Sequence, residues 1–579
     1  MLELREVTVS IGDSEDAPVL LSGVSAKFPR GEVCALLGPS GSGKTTMMRA
    51  IAGITGTTGG SLFWNGTDLD AHDLPPSQIG YVPQFTISQE NLTARENILL
   101  ALKLRVAGLS RTEQQERATE LLDLTGLTSA ADTASKHLSG GQRRRLALAM
   151  ELSSQPSLLL CDEVTSGLDA RSEREILDLL GQIARKGDRV VLVVTHSLRD
   201  LESFDKVAVL ADGHLAYLGP PATIAHYFRA EHPEEIFERL PERTGAEWHS
   251  SWSKHRSHFE ASEGSEAEDW RELLFGERKR EDNPDPVGHS PHARVAPPWS
   301  QFFTLLATRW KIFFRDKGAI GLQLGLVLGF PVVVAIFALD GLPPVPSLDA
   351  GLSGDVVRQL LEARTFAEGA SKAGSVVSGL ILLQVILLGL LGANNSAREI
   401  AGERSIYEKE RFAGLSPAAY VASRVAFLSV LVLLQSAWMT WFVRTVSHFP
   451  GDGTQQFLFF LLVNAALTSV CLGISALSRS ADQASLVSIY LVGFQLPLSG
   501  AVLALPAALG AALRPFIAAY WSWSGALQSL RETRYYDVFE LVIPTTLSAP
   551  ALCVWVLILH VLFGIFLAWL GCLRAAWDR

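Results

Sequence analysis

An α/β domain followed by an all-α membrane domain is the fold class that this sequence predicts, and three observations lead to it. A glycine-rich loop, G-x-x-x-x-G-K-T at 38–45, directly follows an apolar run that is typical of a buried strand. Charged residues are frequent in the first half of the 579 residues and scarce over long stretches of the second. Six apolar stretches of about 20 residues follow position 318, and each is long enough to cross a bilayer as a helix.

The glycine-rich loop is the strongest chemical signal. Its context of strand, loop and helix predicts a phosphate-binding P-loop and disfavours a chance glycine turn. The glycines open backbone N–H groups toward phosphates, Lys44 is expected to reach the β- and γ-phosphates, and the Thr45 hydroxyl is expected to ligate Mg²⁺. The predicted nucleotide contacts of this segment are Gly38, Pro39, Ser40, Gly41, Ser42, Gly43, Lys44, Thr45 and Thr46.

Polar residues follow three further apolar runs of the first half. Carboxyl ends of parallel strands meet at one edge of a sheet, so these residues are expected beside the P-loop. Asp162 is predicted in the Mg²⁺ shell, and Glu163 is predicted as general base for the attacking water. His196 is expected to sense the γ-phosphate, although a lone histidine after a strand is usually structural. Gln84 is expected to touch Mg²⁺ or the water, and by itself would carry no signal.

The pentapeptide Leu-Ser-Gly-Gly-Gln at 138–142 permits two interpretations. One is an ordinary turn before a basic helix. The other is a second phosphate contact, because the glycines allow close backbone approach, the serine hydroxyl adds a donor, and a helix N-terminus follows. Under the second interpretation the contacts are Ser139, Gly140, Gly141 and Gln142.

Taken in order, these motifs together with Ser-Gly-Leu-Asp at 166–169 resemble the nucleotide-binding domain of an ABC transporter. The segments 81–84, 92–97, 165–169 and 204–207 more narrowly resemble the G subfamily, the White and sterol-transporter-like half-transporters. The resemblance implies a P-loop ATPase domain with a RecA-like core and antiparallel β and helical subdomains. It also implies ATP and Mg²⁺ as cofactors, and a nucleotide site completed by a second copy, with Asp169 at the contact to the opposite cassette.

Three positions depart from the family pattern. Gln142 stands where the G subfamily often has Glu, and Val164 replaces the proline that usually follows the catalytic glutamate. Near 9–12, where many cassettes place an aromatic residue to stack on adenine, this chain has none. Adenine stacking is therefore not expected from this segment, and nucleotide selectivity is expected to be loose.

Composition excludes some alternatives. The formal net charge of -10 argues against a nucleic-acid partner, which calls for a basic face. The five cysteines form no C-x-x-C pair, so neither a disulfide framework nor a zinc site is expected. Residues 231–298 are polar, charged and interrupted by prolines, which predicts a partly disordered connector without a metal site.

The membrane half is expected to begin with an interfacial helix at 299–318, because apolar and basic residues alternate there at helical spacing. The nucleotide-binding domain is thereby limited to 1–230 and the six-span ABC-2 type domain to 319–579. Basic residues flank one side of the spans, which predicts cytoplasmic termini and a cytoplasmic cassette. The expected spans are 319–339, 376–393, 421–443, 457–477, 484–505 and 549–570.

Two segments of the membrane half carry finer expectations. The charged stretch 398–411 is either a solvated loop or, by resemblance, the coupling helix that docks on the cassette. The apolar stretch 505–530 resembles a re-entrant helix, with Tyr520, Trp521 and Trp523 expected in an interfacial aromatic belt. The resemblance also implies a substrate cavity between spans two and five of both copies, lined by Gln384, Leu387, Tyr490, Phe494 and Gln495. Polar groups inside a span more often bond a neighbouring helix than a substrate.

The function that follows is ATP-driven export of a hydrophobic, lipid-like or amphipathic substrate by a dimer of half-transporters. A homodimer is expected because all motifs are intact in one chain, and a heterodimer stays open. The expected location is the plasma membrane as a multi-pass protein, with a bacterial inner membrane favoured because the outer loop lacks cysteines. Two alternatives remain at this point. One is a soluble ABC ATPase acting on DNA or ribosomes, and the other is a membrane regulator that moves a protein partner without its own cargo.

Overall fold

The computed structural model describes residues 1–12, 18–69, 71, 74–261, 295–339, 341–345, 356–501, 506–542 and 545–575. These residues divide into two compact units. The first unit takes in Met1–Gln301 and also the short segment Glu408–Leu415, and the second takes in Phe302–Tyr407 and Ser416–Ala575. The segment 408–415 therefore belongs structurally with the first unit although it lies between two parts of the second in sequence.

Two sheets form the framework of the first unit. Its strands are β1 Leu2–Ser10, β2 Val19–Phe28, β3 Val33–Leu37, β4 Gly59–Trp64, β5 Thr67–Asp68, β6 Ile79–Val82, β7 Leu158–Asp162, β8 Val190–Val194, β9 Lys206–Ala211 and β10 His214–Gly219. The larger sheet has the order β10-β9-β3-β8-β7-β6, parallel except for the antiparallel edge strand β10. Every residue of β3, β7 and β8 is buried, as expected for parallel strands covered on both faces.

The smaller sheet is antiparallel, in the order β2-β1-β4-β5. Burial along β1 tends to alternate, so one face of this sheet joins the apolar core. The P-loop ATPase fold with an added antiparallel sheet, which the sequence predicts, is confirmed.

The helices of the first unit are α1 Lys44–Ile51, α2 Ala94–Arg105, α3 Arg111–Leu124, α4 Gly140–Leu152, α5 Ala170–Lys186, α6 Pro221–Phe228, α7 Ile236–Arg239 and α8 Gly245–Ala261. Three of them begin with a reciprocal capping box, in which a Ser or Thr side chain and a Glu or Gln three residues later each bond the other's backbone N–H. These pairs begin α2, α3 and α4. The S/T-x-x-E/Q spacing in the sequence therefore sets where each helix starts.

The connector expected at 231–298 is folded over its first part. Helix α8 packs on β10, and Trp248 and Trp252 are buried in the same core as the sheets. Trp252 lies 5.1 Å from Tyr217 of β10, measured between ring centroids. The expectation of disorder was wrong for 231–261 because aromatic residues spaced through a polar sequence bury one face of the helix. Residues 262–294 lie outside the described part of the chain.

The second unit is entirely helical among its described residues. Its helices are α9 Pro298–Arg315, α10 Lys317–Ile336, α11 Val356–Ser396, α12 Arg404–Phe412, α13 Pro417–Ser447, α14 Gly453–Leu477, α15 Ala481–Leu498, α16 Ala507–Leu513, α17 Ala518–Gln528, α18 Arg534–Val542 and α19 Pro550–Arg574. The first residues of α9, up to Gln301, and the last residues of α12, from Glu408, belong to the first unit. Asp316 separates α9 from α10 and caps α10 by accepting the N–H of Ala319 at 2.9 Å.

Within the described residues, five helical stretches are long and apolar enough to span a membrane. They are Lys317–Ile336, Leu360–Phe412, Pro417–Ser447, Gly453–Leu477 and Pro550–Arg574. The fifth expected span, 484–505, corresponds to α15, which has 18 residues and does not meet that criterion. Its first turn is polar, and Pro497 lies next to its end at Leu498. Conversely, α11 extends the expected span 376–393 to 41 residues.

The aromatic residues between α15 and α19 do not form an exposed belt among the described residues. Helix α17 is buried along its whole length, including Tyr520, Trp521 and Trp523. The indole N–H of Trp523 donates to Ser378 Oγ at 3.1 Å, so the polar edge of the ring is satisfied inside the unit. The belt expectation was wrong because these rings have hydrogen-bond partners in the protein core.

Candidate functional site

The loop between β3 and α1 has a backbone that only glycine suits at two positions. Gly38 has a φ of 149°, and a Cβ added there would lie 2.4 Å from the carbonyl oxygen of Leu210. Gly43 has a φ of 97°, and a Cβ there would lie 2.7 Å from the carbonyl oxygen of Leu20. The loop is thus wedged against two neighbouring chain segments, and its shape follows from the glycine spacing.

Lys44, the first residue of α1, bends back over this loop. Its Nζ donates to the carbonyl oxygens of Gly38 and Pro39, both at 2.9 Å. Burial lowers the pKa of Lys44, and the charges of Glu163 and Asp162 oppose that change. Ser42 Oγ is buried and has no hydrogen-bond partner among the described residues. A buried cation and an unsatisfied hydroxyl at one loop fit a bound phosphate.

Glu163, at the end of β7, is the centre of a short hydrogen-bond chain. Gln84 Nε2 donates to Glu163 Oε2 at 2.7 Å, and His196 Nε2 lies 2.8 Å from Glu163 Oε1. The backbone of Glu163 has a φ of 52°, an uncommon left-handed conformation for a residue with a side chain. Gln84 and His196, which follow β6 and β8, therefore meet at the carboxylate of Glu163, which follows β7.

Asp162 lies one residue earlier and is more buried. Burial raises its pKa, while a hydrogen bond from Tyr81 and the charges of Arg49 and Lys44 lower it. The hydroxyl of Tyr81 donates to Asp162 Oδ2 at 3.1 Å. Sequence reasoning did not single out Tyr81, because an aromatic residue in an apolar strand looks like core.

The predicted second phosphate contact forms the start of α4. Ser139 is the N-cap, and its Oγ accepts the N–H of Gln142 at 3.2 Å while Gln142 Oε1 accepts the N–H of Ser139 at 3.0 Å. Gly140 and Gly141 are the first two helical residues. Gln142 forms the same capping bonds that a Glu at this position can form. Having Gln where the G subfamily often has Glu is therefore compatible with a capped start of α4.

Asp169 caps α5 by accepting the N–H of Ser172 at 3.0 Å, and its other oxygen accepts the Ser172 hydroxyl at 2.7 Å. The hydrogen bond from Ser172 lowers the pKa of the carboxyl. Thr45 and Thr46 lie in the first turn of α1, half-buried. Among the described residues no cluster of three or more His, Cys, Asp or Glu forms a ready-made metal site, so the Thr45, Gln84 and Asp162 set remains a prediction.

A buried cluster of four charges lies elsewhere in the first unit. Arg105 of α2 donates to Glu151 of α4 at 3.0 Å and to Glu410 at 2.9 Å. Lys409 Nζ lies 3.0 Å from Glu151 Oε1 and donates to the carbonyl oxygen of Ile87 at 3.2 Å. Burial alone would raise the pKa of Glu151, but Arg105 and Lys409 hold it below its ordinary value.

Sequence reasoning singled out 398–411 but missed Arg105 and Glu151. The available signal was a charged residue at the end of an apolar helical run, as in L-K-L-R and A-M-E-L. Such residues are almost never fully buried unless they are paired.

The five predicted substrate residues do not line one cavity in the second unit. Gln384 is buried and donates to the carbonyl of Leu380 in its own helix, and Leu387 is buried beside it. Gln495 is 2% exposed and accepts the N–H of Ala519 at 3.1 Å. Only Tyr490 and Phe494 are open, at 59% and 61% exposure. The two glutamines are used in packing, which is the commoner role of polar groups inside a span.

A different part of the second unit is concave. A groove of about 650 Å³, open to the surface, lies among α9, α10, α11, α13 and α15. Its walls are mainly apolar, and one part of it carries the side-chain amides of Gln323, Asn394 and Asn395. An apolar groove with a few convergent polar groups is the usual form of a small-molecule site.

Comparisons with known proteins agree with this arrangement. The family described as "ABC transporter" matches residues 21–166, and that described as "ABC-2 type transporter" matches residues 300–523. The ABC transporter ATP-binding/permease protein Rv1747 of Mycobacterium tuberculosis is 29% identical over 513 residues, a match that spans 87% of this chain and 54% of that protein. The methionine import ATP-binding protein MetN of Chromohalobacter salexigens is 34% identical over 268 residues, 43% of this chain and 77% of that protein.

A solved structure is also similar in sequence to the first unit. It is a dimeric, post-hydrolysis state of the ATP-binding cassette MJ0796 bound to ADP and Pi. It is 30% identical, matches 38% of this chain and 99% of its own, and has a TM-score of 0.35.

This chain therefore belongs to the ABC transporters, with an ATP-binding cassette followed by an ABC-2 type membrane domain. It spans about half of Rv1747, at 54% of that length. The cassette is an ATPase that uses ATP with Mg²⁺. The apolar helices make it a multi-pass membrane protein.

Proposed function

We propose that the chain is a half-transporter of the G-subfamily type and that two copies export a hydrophobic or amphipathic substrate. One observation carries the proposal. Residues 408–415 belong to the compact first unit, yet in sequence they lead from α11 directly into α13, two of the membrane-spanning helices. A change in the cassette is thereby passed on through the chain itself to the spans.

In the nucleotide site, Glu163 is the general base for the attacking water, with Gln84 and His196 positioning it. The hydrogen bonds from Gln84 and His196 to both Glu163 oxygens support these roles. Asp162 and Thr45 hold Mg²⁺, with Gln84 as a further contact. The P-loop residues 38–46 hold the phosphates, and ATP bound there supplies the phosphoanhydride whose hydrolysis drives transport.

The site needs a second copy. Ser139, Gly140, Gly141 and Asp169 complete the nucleotide site of the partner, because the helix N-terminus formed at Ser139 offers its N–H groups to a phosphate. All of these residues are present in this chain, so the dimer is formed by two identical copies.

Coupling runs through the buried charge cluster. Lys409 and Glu410 are held against α2 and α4 by Arg105 and Glu151, and all four side chains are at most 7% exposed. Removing one partner from such a network leaves a buried charge without compensation, which costs about 3–5 kcal/mol. The cluster therefore moves with the cassette as one body.

The cassette faces the cytoplasm of a bacterial cell and the spans cross its inner membrane. Basic residues such as Arg309, Arg398 and Arg404 near the ends of the spans support this orientation. The open groove of the second unit supports an amphipathic substrate. The five apolar helices do not fit a soluble ATPase that acts on DNA or ribosomes.

The test is ATP-dependent uptake of a fluorescent amphiphile into inside-out vesicles that contain the purified chain. Wild type is expected to hydrolyse ATP and accumulate the amphiphile, and Glu163→Gln to bind ATP but lose both activities by at least about 100-fold. Glu116→Gln, an exposed carboxylate on α3, is the control and is expected to behave as wild type. Wild-type turnover in Glu163→Gln would contradict the base. ATP hydrolysis without uptake of any amphiphile would favour a regulator that acts on a protein partner.

A further inference from the structure

We propose that the groove of the second unit binds the head of the transported amphiphile and selects heads that are uncharged and form hydrogen bonds. This inference rests on the proposed function, because it concerns the substrate of that transporter. It adds the chemical class of the head, which no motif in the sequence indicates. Its three supports are the amides at one part of the groove, the neutralised cations beside them, and the apolar wall.

The amides form a connected set. Gln323 of α10 donates to Asn395 Oδ1 of α11 at 2.7 Å, and Asn395 Nδ2 donates to Gln435 Oε1 of α13 at 3.0 Å. Asn394 is exposed, and among the described residues its one hydrogen bond, to Gln323 Oε1, is 3.5 Å long. Asn394 therefore retains donor and acceptor capacity at the groove, while the other amides hold Gln323 in place.

The amides lie near one membrane surface. Gln323 is six residues after Lys317, the first residue of α10, which corresponds to about 9 Å along the helix. Asn394 is one turn before Arg398 in the chain. This is the depth at which a lipid or amphiphile carries its polar head.

The apolar wall continues along the same helices. Leu326 and Phe330 follow Gln323 on α10 at intervals of three and four residues, so they share one face of that helix. Leu390 precedes Asn394 by four residues on α11, and Leu431 lines the groove from α13. Polar groups followed by an apolar wall match an amphiphile with one head and a hydrocarbon tail.

The cations at the groove are already paired. Arg309 Nε and Nη2 lie 2.5 and 2.7 Å from the two oxygens of Glu399, a bidentate pair, and its guanidinium lies 4.5 Å from the centre of the Phe427 ring. Glu399 also accepts from Arg424 at 3.2 Å, and Arg424 in turn pairs with Glu403. Two arginines and two glutamates cancel, so this group offers no net charge to a ligand.

Arg398 is the more exposed cation of the groove. Its Nε donates to Ser485 Oγ at 2.7 Å, and its Nη2 lies 3.3 Å from Asp482 Oδ1. An anionic head would have to compete with Ser485 and Asp482 for Arg398, an exposed pair that contributes little by itself, or displace Glu399 from a buried pair at the cost of an uncompensated charge. An uncharged head leaves the partners of Arg398 and the buried Glu399 pair in place, and it forms hydrogen bonds with the donor and acceptor that Asn394 retains.

The experiment measures binding of three twelve-carbon amphiphiles to the full chain in phosphatidylcholine nanodiscs, by equilibrium dialysis with empty nanodiscs as background. The probes are dodecyl maltoside, dodecyl phosphate and dodecyltrimethylammonium. Dodecyl maltoside is expected to bind at least about tenfold more tightly than either charged probe, as expected when a buried polar site matches its ligand. Equal or tighter binding of dodecyl phosphate would overturn the inference.

Two variants test the amides. Gln323→Leu combined with Asn394→Leu is expected to weaken maltoside binding about tenfold, because two hydrogen-bonding groups are removed. Gln455→Leu replaces an exposed amide at the start of α14, away from the groove, and is the matched control. Unchanged maltoside affinity in the double variant would overturn the inference.

A third variant does not depend on loss of function. Asn394→Asp keeps the shape of the side chain and adds one negative charge, so it is expected to bind dodecyltrimethylammonium at least about fivefold more tightly than wild type does. No gain for the cationic probe would contradict a head site at Asn394. Selective maltoside binding without ATP-driven uptake would leave this inference standing and contradict the proposed transport. Uptake without selectivity for the head would support the proposed transport and contradict this inference.

Discussion

Tyr81 is a residue whose part in the site follows from packing rather than from a motif. It is buried in β6 and gives Asp162 a hydroxyl hydrogen bond at 3.1 Å, which opposes the effect of burial on that carboxylate. A metal ligand that is held in one orientation binds its ion more tightly than one that rotates. We therefore propose Tyr81 as a positioning residue for Asp162, the predicted Mg²⁺ ligand.

Tyr81→Phe removes that hydroxyl and keeps the ring. A hydrogen bond to a charged group contributes about 1.5–3 kcal/mol, so the Mg²⁺ concentration at half-maximal ATPase activity is expected to rise about tenfold. ATP binding measured without Mg²⁺ is expected to stay unchanged. Tyr536→Phe, which removes a hydroxyl hydrogen bond to Gln528 in the second unit, is the control. An unaltered Mg²⁺ requirement in Tyr81→Phe would remove the positioning role.

At the scale of elements, two segments that lie outside the P-loop motifs in sequence are part of the first unit, namely α8 and residues 408–415. Helix α8 completes its core with Trp248 and Trp252. The segment 408–415 enters the same unit through Lys409 and Glu410. Both attachments bury side chains that a polar sequence would otherwise leave in water.

Trp252→Ala is expected to destabilise the cassette by about 3–5 kcal/mol, because it removes a fully buried ring from the cluster with Tyr217 and Tyr227. The measurement is the denaturation midpoint of the purified chain, followed by tryptophan fluorescence. Trp299→Ala removes an exposed ring and is expected to leave the midpoint unchanged. Equal midpoints for both variants would mean that α8 is not part of the core.

The charge cluster is expected to separate hydrolysis from transport. Glu410→Lys places a second cation next to Arg105, so ATP hydrolysis is expected to persist while uptake into vesicles falls at least about tenfold. Arg105→Glu combined with Glu410→Lys reverses the pair and is expected to restore part of the uptake. Full uptake in Glu410→Lys would show that the cluster does not carry coupling.

The sequence alone predicts those functional residues that lie in one short segment of the chain. The P-loop, the strand β7 that ends at Asp162, and His196 two residues after β8 can each be recognised within about ten residues of sequence, and the parallel sheet brings them together. The Arg105–Glu410 pair was out of reach because 305 positions separate its members. Gln384 and Gln495 have hydrogen-bond partners within the chain, and a polar residue in an apolar helix gives the same sequence pattern whether it packs or binds cargo, so their part in a cavity between two copies stays a prediction.

At the scale of the whole molecule, the account requires two copies. In the proposed mechanism, each nucleotide site is built from the P-loop of one copy and the Ser139 helix start of the other, so neither copy completes a site alone. The same proposal assigns to the segment 408–415 the coupling of ATP hydrolysis to movement of an amphiphile. Loss of either half of a shared site is expected to stop both activities in a dimer of identical copies.

Mixing two inactive variants tests this requirement most directly. Lys44→Ala disables the P-loop and Ser139→Arg disables the helix start, and each alone is expected to be inactive in vesicles. When the two are co-expressed, purified through different tags and reconstituted, one intact shared site forms per mixed dimer. The account predicts ATPase activity and amphiphile uptake well above either variant alone. A mixed dimer no more active than its two parents, or either variant fully active by itself, would contradict it.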